Sequence, residues 1–160
     1  MKVATLCYVE KDNQYLMLHR TMKEDDIHKN LWIGLGGKLE AGESPEECVI
    51  REVFEESGLK IISPVLRGVL TFPSFADDVI NSDDWYVFLF TANNFSGSIK
   101  ESDEGKLMWI DKEKLNEYPM HEGDVHFIEW IQKNKGVLSA KYIYENGVIK
   151  KITANTYHTE

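Results

Sequence analysis

The fold is decided by residues 37–59, which read GKLEAGESPEECVIREVFEESGL. Ser44 is a good N-cap, a proline follows it at the first helical position, and Glu47 completes a capping box. Gly58 is a natural C-cap, because glycine readily adopts the left-handed conformation that ends many helices. The segment therefore predicts a helix over residues 45–57 with both ends marked.

The polar face of this predicted helix is a cluster of like charges. At about 100° per residue, Glu52, Glu55 and Glu56 fall on one side, and apolar residues fill the rest. Like charges at i,i+4 weaken a helix. Mg²⁺ prefers oxygen ligands and commonly binds one or two carboxylates together with substrate phosphates. On these three glutamates alone, a solvated acidic face is the more common explanation.

The rest of the chain alternates between strand, turn and helix signals. Strands and helices mix without strict alternation, which predicts an α/β (α+β mixed) domain over residues 1–160, with a mixed sheet flanked by helices. The predicted strands are Lys2–Val9, Tyr15–His19, Leu59–Thr71, Trp85–Ala92, Lys106–Ile110 and a hairpin of Lys141–Tyr144 and Val148–Thr153 around Asn146-Gly147. Helical turns are predicted at Asp111–Leu115 and a helix at Asp124–Asn134, with polar loops at Thr21–Asn30 and Pro73–Asp84.

Composition and charge narrow the class of protein. The 160 residues are 42% apolar and 28% charged, and the formal net charge is −9. This balance argues against a binder of nucleic-acid polymers or membrane surfaces, which needs basic patches. The N-terminal apolar run is too short to span a membrane and lacks a signal-peptide cleavage pattern. Cys7 and Cys48 are expected to be reduced and buried, so we expect a cytoplasmic protein.

Residues 37–59 resemble a complete Nudix box, G-x5-E-x7-R-E-U-x-E-E-x-G-U with U aliphatic, at every specified position. The resemblance implies the Nudix fold, a mixed β-sheet sandwiched between α-helices. It extends to Leu16–Arg20, Trp32–Lys38, Glu101–Glu104 with Met108–Ile110, Asp84–Phe88 and Trp130–Tyr144. Within the family, the chain is most similar to the MutT/MutX-type 8-oxo-dGTP diphosphatases.

The resemblance also implies roles for individual residues. Mg²⁺, with Mn²⁺ as an alternative, would be held by carboxylates and one carbonyl, and Glu56 would be the firmest ligand. Glu52 is the leading candidate for the base that activates water, although family members differ on the base. The implied metal ligands are Gly36 through its carbonyl, Glu52, Glu55, Glu56 and Glu104. Arg51 and Glu43 would form an orienting ion pair, and Arg20 and Lys38 would contact phosphate oxygens.

Recognition of the base is less well defined by sequence. Ile33 stands where some relatives carry an asparagine that helps to read a purine, which puts that mode of reading in doubt. Asp124 is the best candidate for a later acidic residue that contacts the base, and an N-cap for the following helix is an equally good interpretation. Stacking on a base is open to Phe72, Phe75 and Trp85.

Other aromatic and imidazole side chains are expected to be structural. The interpretation favours core positions for Trp32, Trp109 and Trp130. His28, His121 and His126 show no zinc spacing with cysteines. His126 is expected to pack on its helix and the other two to lie at the surface.

The implied reaction is attack of water on a diphosphate phosphorus, which gives a nucleoside monophosphate and pyrophosphate. The expected partner is a small nucleotide, with 8-oxo-dGTP as the first substrate and sanitation of the nucleotide pool, a form of DNA repair, as the role. One alternative is an ADP-ribose or other nucleoside-diphosphate-linked hydrolase, for which Pro73 lies close to the expected position. Another is a non-catalytic Nudix-fold module. A monomer and a homodimer are both left open.

Overall fold

The computed structural model describes residues 1–20, 30–74 and 83–158. These residues form strands, two α-helices and one 3-10 helix. The strands are β1 (Lys2–Lys11), β2 (Gln14–His19), β3 (Trp32–Ile33), β4 (Lys60–Ile61), β5 (Val65–Phe72), β6 (Trp85–Ala92), β7 (Phe95–Ser96), β8 (Lys106–Asp111), β9 (Val137–Glu145) and β10 (Val148–Tyr157). The helices are α1 (Pro45–Ser57), α2 (Glu122–Lys133) and the 3-10 helix Lys112–Glu117.

Most strands join one mixed sheet in the order β10-β9-β5-β6-β1-β2-β3, and β8 pairs with β2 beside this path. The pairs β1–β6 and β5–β9 are parallel, and the remaining pairs of the sheet are antiparallel. Strands β4 and β7 form a separate two-stranded sheet. The predicted mixed sheet is therefore confirmed.

The two α-helices cover opposite faces of this sheet. Side chains along a strand point alternately to its two faces. In β1, Tyr8 packs in one core with Phe127 of α2, at a ring-centroid distance of 6.3 Å. Its neighbour Cys7 packs in a second core with Val53 of α1. The sheet thus lies between helices, as the resemblance implies.

Both predicted ends of α1 are present. The Ser44 hydroxyl accepts a hydrogen bond from the Glu47 N–H at 3.1 Å, and the Glu47 carboxylate accepts one from the Ser44 N–H at 3.0 Å. At the other end Gly58 has φ 80° and donates its N–H to the Phe54 carbonyl at 2.8 Å. Because all of these signals are local, sequence alone located the helix to the residue.

The segment that leads into α1 lies beside β1. Strands β1 and β2 pair only near their connecting turn. Farther along, the Cys7 N–H donates to the Leu35 carbonyl at 2.6 Å and the Thr5 N–H donates to the Gly37 carbonyl at 2.8 Å. A Cβ at Gly36 would lie 2.0 Å from the Thr5 carbonyl oxygen, so only glycine fits there. This pairing places the start of the box at the centre of the sheet.

Some predicted boundaries differ from the structure. The single strand predicted over residues 59–71 is divided into β4 and β5, because Ser63 has φ 52° and the next residue, Pro64, cannot donate to a ladder. The C-terminal hairpin is longer than predicted, and the two-residue strands β3 and β7 were not predicted. Phe75 and His28 lie outside the described residues. In the described part of the chain, no helix has both the length and the apolar character that a membrane crossing requires.

Candidate active site

One cavity of about 440 Å³ gathers side chains from β1, β5, β6, α1, α2 and the segment that leads into α1. Its walls are mainly apolar, with charged groups at both ends. Of the residues predicted to act, it is lined by Arg20, Gly36, Lys38, Glu52, Phe72, Trp85, Glu104 and Asp124. The structure therefore brings together predicted residues that are spread over more than one hundred positions of sequence.

Two other depressions, of about 580 and 460 Å³, lie around the turn between β1 and β2. Lys112 lines both, and its ammonium donates to the Glu10 carboxylate at 2.7 Å. Its Nζ also lies 4.8 Å from the centre of the Tyr15 ring. Since this lysine is already engaged and the predicted residues lie elsewhere, the 440 Å³ cavity is the candidate active site.

The acidic end of the cavity is lined by Glu52 and Glu104. Glu56, whose exposed fraction is only 4%, does not line the cavity itself but lies next to these two carboxylates. Its Oε1 accepts a hydrogen bond from the Gly36 N–H at 2.8 Å. Burial, together with the nearby carboxylates of Glu104 and Glu52, raises the pKa of Glu56 to about 9, against the lowering effect of the bond from Gly36. A cation bound beside a buried carboxyl group with other carboxyl groups nearby would stabilise their ionised forms.

Glu52 stands at the wall of the cavity, against the backbone of Gly37. A Cβ at position 37 would lie 2.4 Å from the carboxyl carbon of Glu52, so the glycine of the box leaves the space that this side chain occupies. Partial burial raises the pKa of Glu52, while Arg51 acts in the opposite direction.

Arg51 links the acidic residues of the box. Its Nε and Nη2 donate to the two carboxylate oxygens of Glu43 at 2.7 and 2.9 Å, and its Nη1 donates to Glu52 at 2.8 Å. The hydrogen bonds from Arg51 lower the pKa of Glu43 to about 2. The predicted ion pair is thus assembled in a bidentate geometry that fixes the guanidinium plane.

Glu55 does not line the cavity. Its side chain is 57% exposed and pairs with Arg51 at 3.3 Å. Its predicted role as a metal ligand remains a prediction.

The acidic end offers the chemistry of a hard-cation site. Glu52, Glu56 and Glu104 supply carboxylate oxygens, the donors that Mg²⁺ prefers. Arg51 neutralises part of this charge, and Arg20 Nη1 lies 3.1 Å from Glu104. Among the described residues, no group of three or more His, Cys, Asp or Glu side chains already surrounds a common point as metal ligands do. The oxygen donors and their charge are those that a divalent cation requires, although the described side chains are not arranged around one point.

The opposite end of the cavity has aromatic and apolar walls. Phe72 and Trp85 line it at the ends of β5 and β6. The Phe72 ring stacks on Tyr142 with centroids 5.3 Å apart and an interplanar angle of 17°. Lys38 Nζ lies 5.6 Å from the centre of a Trp85 ring. These walls have the flat, apolar character that suits a heteroaromatic ring.

Asp124 closes this end of the cavity. The interpretation of Asp124 as an N-cap is wrong, because α2 begins earlier, with His121 at the cap position, and Asp124 lies in the first turn. Its exposed fraction is 7%, and burial raises the pKa of Asp124 to about 7. Within the described part of the chain, its side chain forms no hydrogen bond, and it faces the cavity.

His121 also lines the cavity, although it was expected at the surface. Its spacing of three from Asp124 places both residues on one face of the first helical turn, and that signal could have indicated its position. His126 lies on α2 with its Nδ1 2.8 Å from the Tyr142 hydroxyl, in agreement with a packing role. The three remaining tryptophans are half-buried and pack against the two cores, namely Trp32, Trp109 and Trp130.

Comparison with known proteins assigns this arrangement to a family. The NUDIX domain family model matches residues 1–131. The uncharacterized Nudix hydrolase YvcI of Bacillus subtilis (strain 168) is 38% identical over 141 residues, which are 88% of this chain and 85% of that protein. The oxidized purine nucleoside triphosphate hydrolase of Danio rerio is 29% identical over 137 residues, which are 86% of this chain and 83% of that protein.

A solved structure shows the same fold. The crystal structure of a mutator MutT protein from Bacillus halodurans superposes with a TM-score of 0.84 at 30% identity, and the match covers 97% of this chain and 98% of that chain. With a family match over most of its length and a complete box on α1, the chain belongs to the Nudix hydrolases, a family that acts on the pyrophosphate bonds of nucleoside diphosphate derivatives.

Proposed function

We propose that this protein is a Mg²⁺-dependent nucleoside triphosphate diphosphatase that releases a nucleoside monophosphate and pyrophosphate. Oxidised purine nucleotides such as 8-oxo-dGTP are its proposed substrates, and their removal from the nucleotide pool its proposed role. The observation that carries this proposal is a single cavity with clustered carboxylates at one end and a flat apolar compartment closed by Asp124 at the other. These ends suit the polyphosphate and the base of one nucleotide.

At the acidic end, Glu52, Glu56 and Glu104 would hold the cation, with Glu55 and the Gly36 carbonyl as further candidate ligands. Nudix hydrolases generally use divalent metals such as Mg²⁺, and Mn²⁺ offers similar chemistry. When bound, such an ion neutralises charge on non-bridging phosphate oxygens and acidifies water.

Glu52 is the proposed general base. It lines the cavity, whereas Glu56 is buried behind the Gly36 N–H, so Glu52 is better placed to accept a proton from the attacking water. Arg51 holds the Glu52 carboxylate at 2.8 Å and is itself fixed by two bonds to Glu43. This chain of contacts orients Glu52 without placing Arg51 or Glu43 at the reacting atoms.

Two cationic side chains are placed to receive phosphate oxygens. Arg20 and Lys38 both line the cavity. Arg20 already contacts Glu104, so a phosphate group bound there would lie beside the carboxylate cluster. Lys38 lies over the Trp85 ring. Together they would span a polyphosphate that extends from the base toward the carboxylates.

The base would lie against Phe72 and Trp85, which are paired on neighbouring strands, with its polar edge toward Asp124. A carboxyl group with a pKa of about 7 is partly protonated at neutral pH, so Asp124 can accept or donate a hydrogen bond. That dual capacity suits a purine edge that presents both kinds of group. The likeness to a protein named for hydrolysis of oxidised purine nucleoside triphosphates supports this choice of substrate.

The proposed setting is that of a small cytoplasmic enzyme, one domain over residues 1–160 that acts as a monomer or homodimer. Both cysteines are free and buried, in agreement with a reducing compartment. The net charge of −9 favours small nucleotides over nucleic-acid polymers.

A substrate panel tests the proposal. Purified protein is given 8-oxo-dGTP, dGTP, dATP and ADP-ribose, each with Mg²⁺, with Mn²⁺ and with chelator, and the products are identified by chromatography. We expect the highest kcat/KM for 8-oxo-dGTP, pyrophosphate as the second product, and no turnover with chelator. A preference for ADP-ribose would replace 8-oxo-dGTP as the proposed substrate. Absence of turnover on all four compounds would favour a non-catalytic Nudix-fold module.

A further inference from the structure

The N-terminus of α2 carries His121 at the cap position and Asp124 in the first turn. The free N–H groups of this turn need acceptors. The residue at the cap position, His121, makes no capping hydrogen bond with its side chain. Instead, the Gly123 N–H donates to the hydroxyl of Tyr144 at 2.6 Å. Tyr144 is remote in sequence, near the end of β9, so this turn receives an acceptor from a different element of the fold.

The contact is close enough to fix the turn. A Cβ at Gly123 would lie 2.7 Å from the Tyr144 hydroxyl oxygen and 3.6 Å from a ring carbon of Phe72. The Tyr144 and Phe72 rings are themselves in contact, with centroids 6.4 Å apart. The turn therefore packs against the rings of Tyr144 and Phe72, and Phe72 lines the cavity.

Tyr144 also lies close enough to Asp124 for the charge of that carboxyl group to affect it. Burial raises the pKa of the Tyr144 hydroxyl, and the charge of Asp124 raises it further. The hairpin that carries Tyr144 lies beyond residues 1–131, the part of the chain that matches the family model. Strand β9 of this hairpin joins the main sheet beside β5, and it brings Tyr144 to the base end of the site.

From this geometry we infer that Tyr144 is a positioning residue: by holding Gly123, it sets where Asp124 and His121 stand at the base end of the cavity and so determines which base is accepted. The inference rests on the proposed function, because it concerns the nucleotide base. It places Tyr144 behind the site and assigns it no contact with the reacting atoms.

Tyr144→Phe tests the inference, since it keeps the ring and removes the acceptor. Steady-state kinetics with 8-oxo-dGTP and dGTP are measured at saturating Mg²⁺, with dissociation constants of the two nucleoside monophosphates by calorimetry. Loss of one hydrogen bond at the turn is expected to raise KM for 8-oxo-dGTP about fivefold and to lower the preference over dGTP by a similar factor. We expect kcat and the Mg²⁺ dependence to stay unchanged, because the carboxylate cluster is untouched.

Two further variants separate positioning from general stability. Tyr157→Phe changes an exposed tyrosine on β10 of the same hairpin and is expected to leave every constant unchanged. The methyl group of Gly123→Ala would press on the Tyr144 hydroxyl, so this variant is expected to show the same rise in KM. In the double variant with Tyr144→Phe, the effects of the two substitutions on KM are expected to be less than additive.

The outcomes are distinct. A lower Tm for Tyr144→Phe with unchanged KM and unchanged preference would overturn the inference and leave the proposed function intact. Absence of turnover by the unmodified protein would overturn the proposed function, and the monophosphate dissociation constants would still decide the role of Tyr144. Equal affinities in the unmodified protein and Tyr144→Phe would then count against it.

Discussion

The Glu56 carboxylate accepts the N–H of Gly36 at 2.8 Å and thereby joins α1 to the segment that pairs with β1. One oxygen of the most buried acidic residue in the site is fixed by backbone. The orientation of this carboxylate is therefore set by the sheet, while its negative charge, next to the carboxylates of Glu104 and Glu52, requires a cation for balance.

Replacement of Glu56 by glutamine is expected to lower kcat/KM by at least about 100-fold, because it removes the charge that would hold the charge-neutralising ion. Pyrophosphate release at saturating Mg²⁺ measures the effect. Glu46→Gln, an exposed change on the same helix, serves as the matched control and should be silent. Unchanged release by Glu56→Gln would remove Glu56 from the catalytic assignment.

Replacement of Arg51 by lysine should lower kcat rather than raise KM. Lysine cannot hold Glu43 through two parallel hydrogen bonds and also reach Glu52. Glu52, the proposed general base, therefore loses its orientation. Loss of one charge-assisted hydrogen bond corresponds to about a tenfold fall in kcat. Full kinetic curves with and without the substitution measure it, and a rise in KM at constant kcat would instead indicate a role in substrate binding.

Replacement of Asp124 by asparagine should change how stability depends on pH. The pKa of Asp124 is about 7 in the folded protein and about 3.9 in an unfolded chain. The unfolded state therefore releases this proton first, and Asp124 destabilises the fold increasingly from about pH 4 to about pH 7, with no further change above that range.

Relative to the unmodified protein, Asp124→Asn should thus gain stability across this range, by up to roughly 4 kcal/mol at pH 8. Urea unfolding at several pH values measures the free energy for both proteins. Parallel pH profiles would show that Asp124 ionises normally in the folded state.

Replacement of Trp85 by alanine should weaken nucleotide binding. If its ring stacks on the base, KM should rise at least about fivefold while kcat changes little. Tyr86→Ala is the matched control, because the next residue of β6 points to the other face of the sheet. Equal effects of the two substitutions would mean that the loss reflects folding and not stacking.

Local signals in the sequence predicted α1 to the residue, since its capping box and terminal glycine need no information from other elements. The division between β4 and β5 was missed, although Ser63 and Pro64 were visible, because the positive φ at Ser63 is a property of the folded chain. The order of strands and the pairing of the box segment with β1 depend on contacts distant in sequence, which periodicity does not contain.

Only some residues of the candidate site could be predicted, because the others come together through contacts that are distant in sequence. The box glutamates followed from one contiguous motif, and Glu104 followed only from resemblance to the family. The position of Asp124 inside the cavity depends on how α2 packs, and its charge pattern fits an N-cap equally well. His121 was not assigned to the site, although its spacing of three from Asp124 could have indicated it. Tyr144 was not assigned either, because nothing in its immediate neighbourhood indicates that it meets α2.

The early separation of β1 from β2 has an evolutionary consequence. It opens the slot beside β1 into which the box segment fits, so the half of the cavity that we propose to cleave phosphate is anchored to the centre of the sheet. The half that we propose to receive the base is built from strand ends, α2 and the C-terminal hairpin. Mutations can accumulate in that second half and redirect the enzyme to new nucleotides while the cleavage machinery is inherited unaltered.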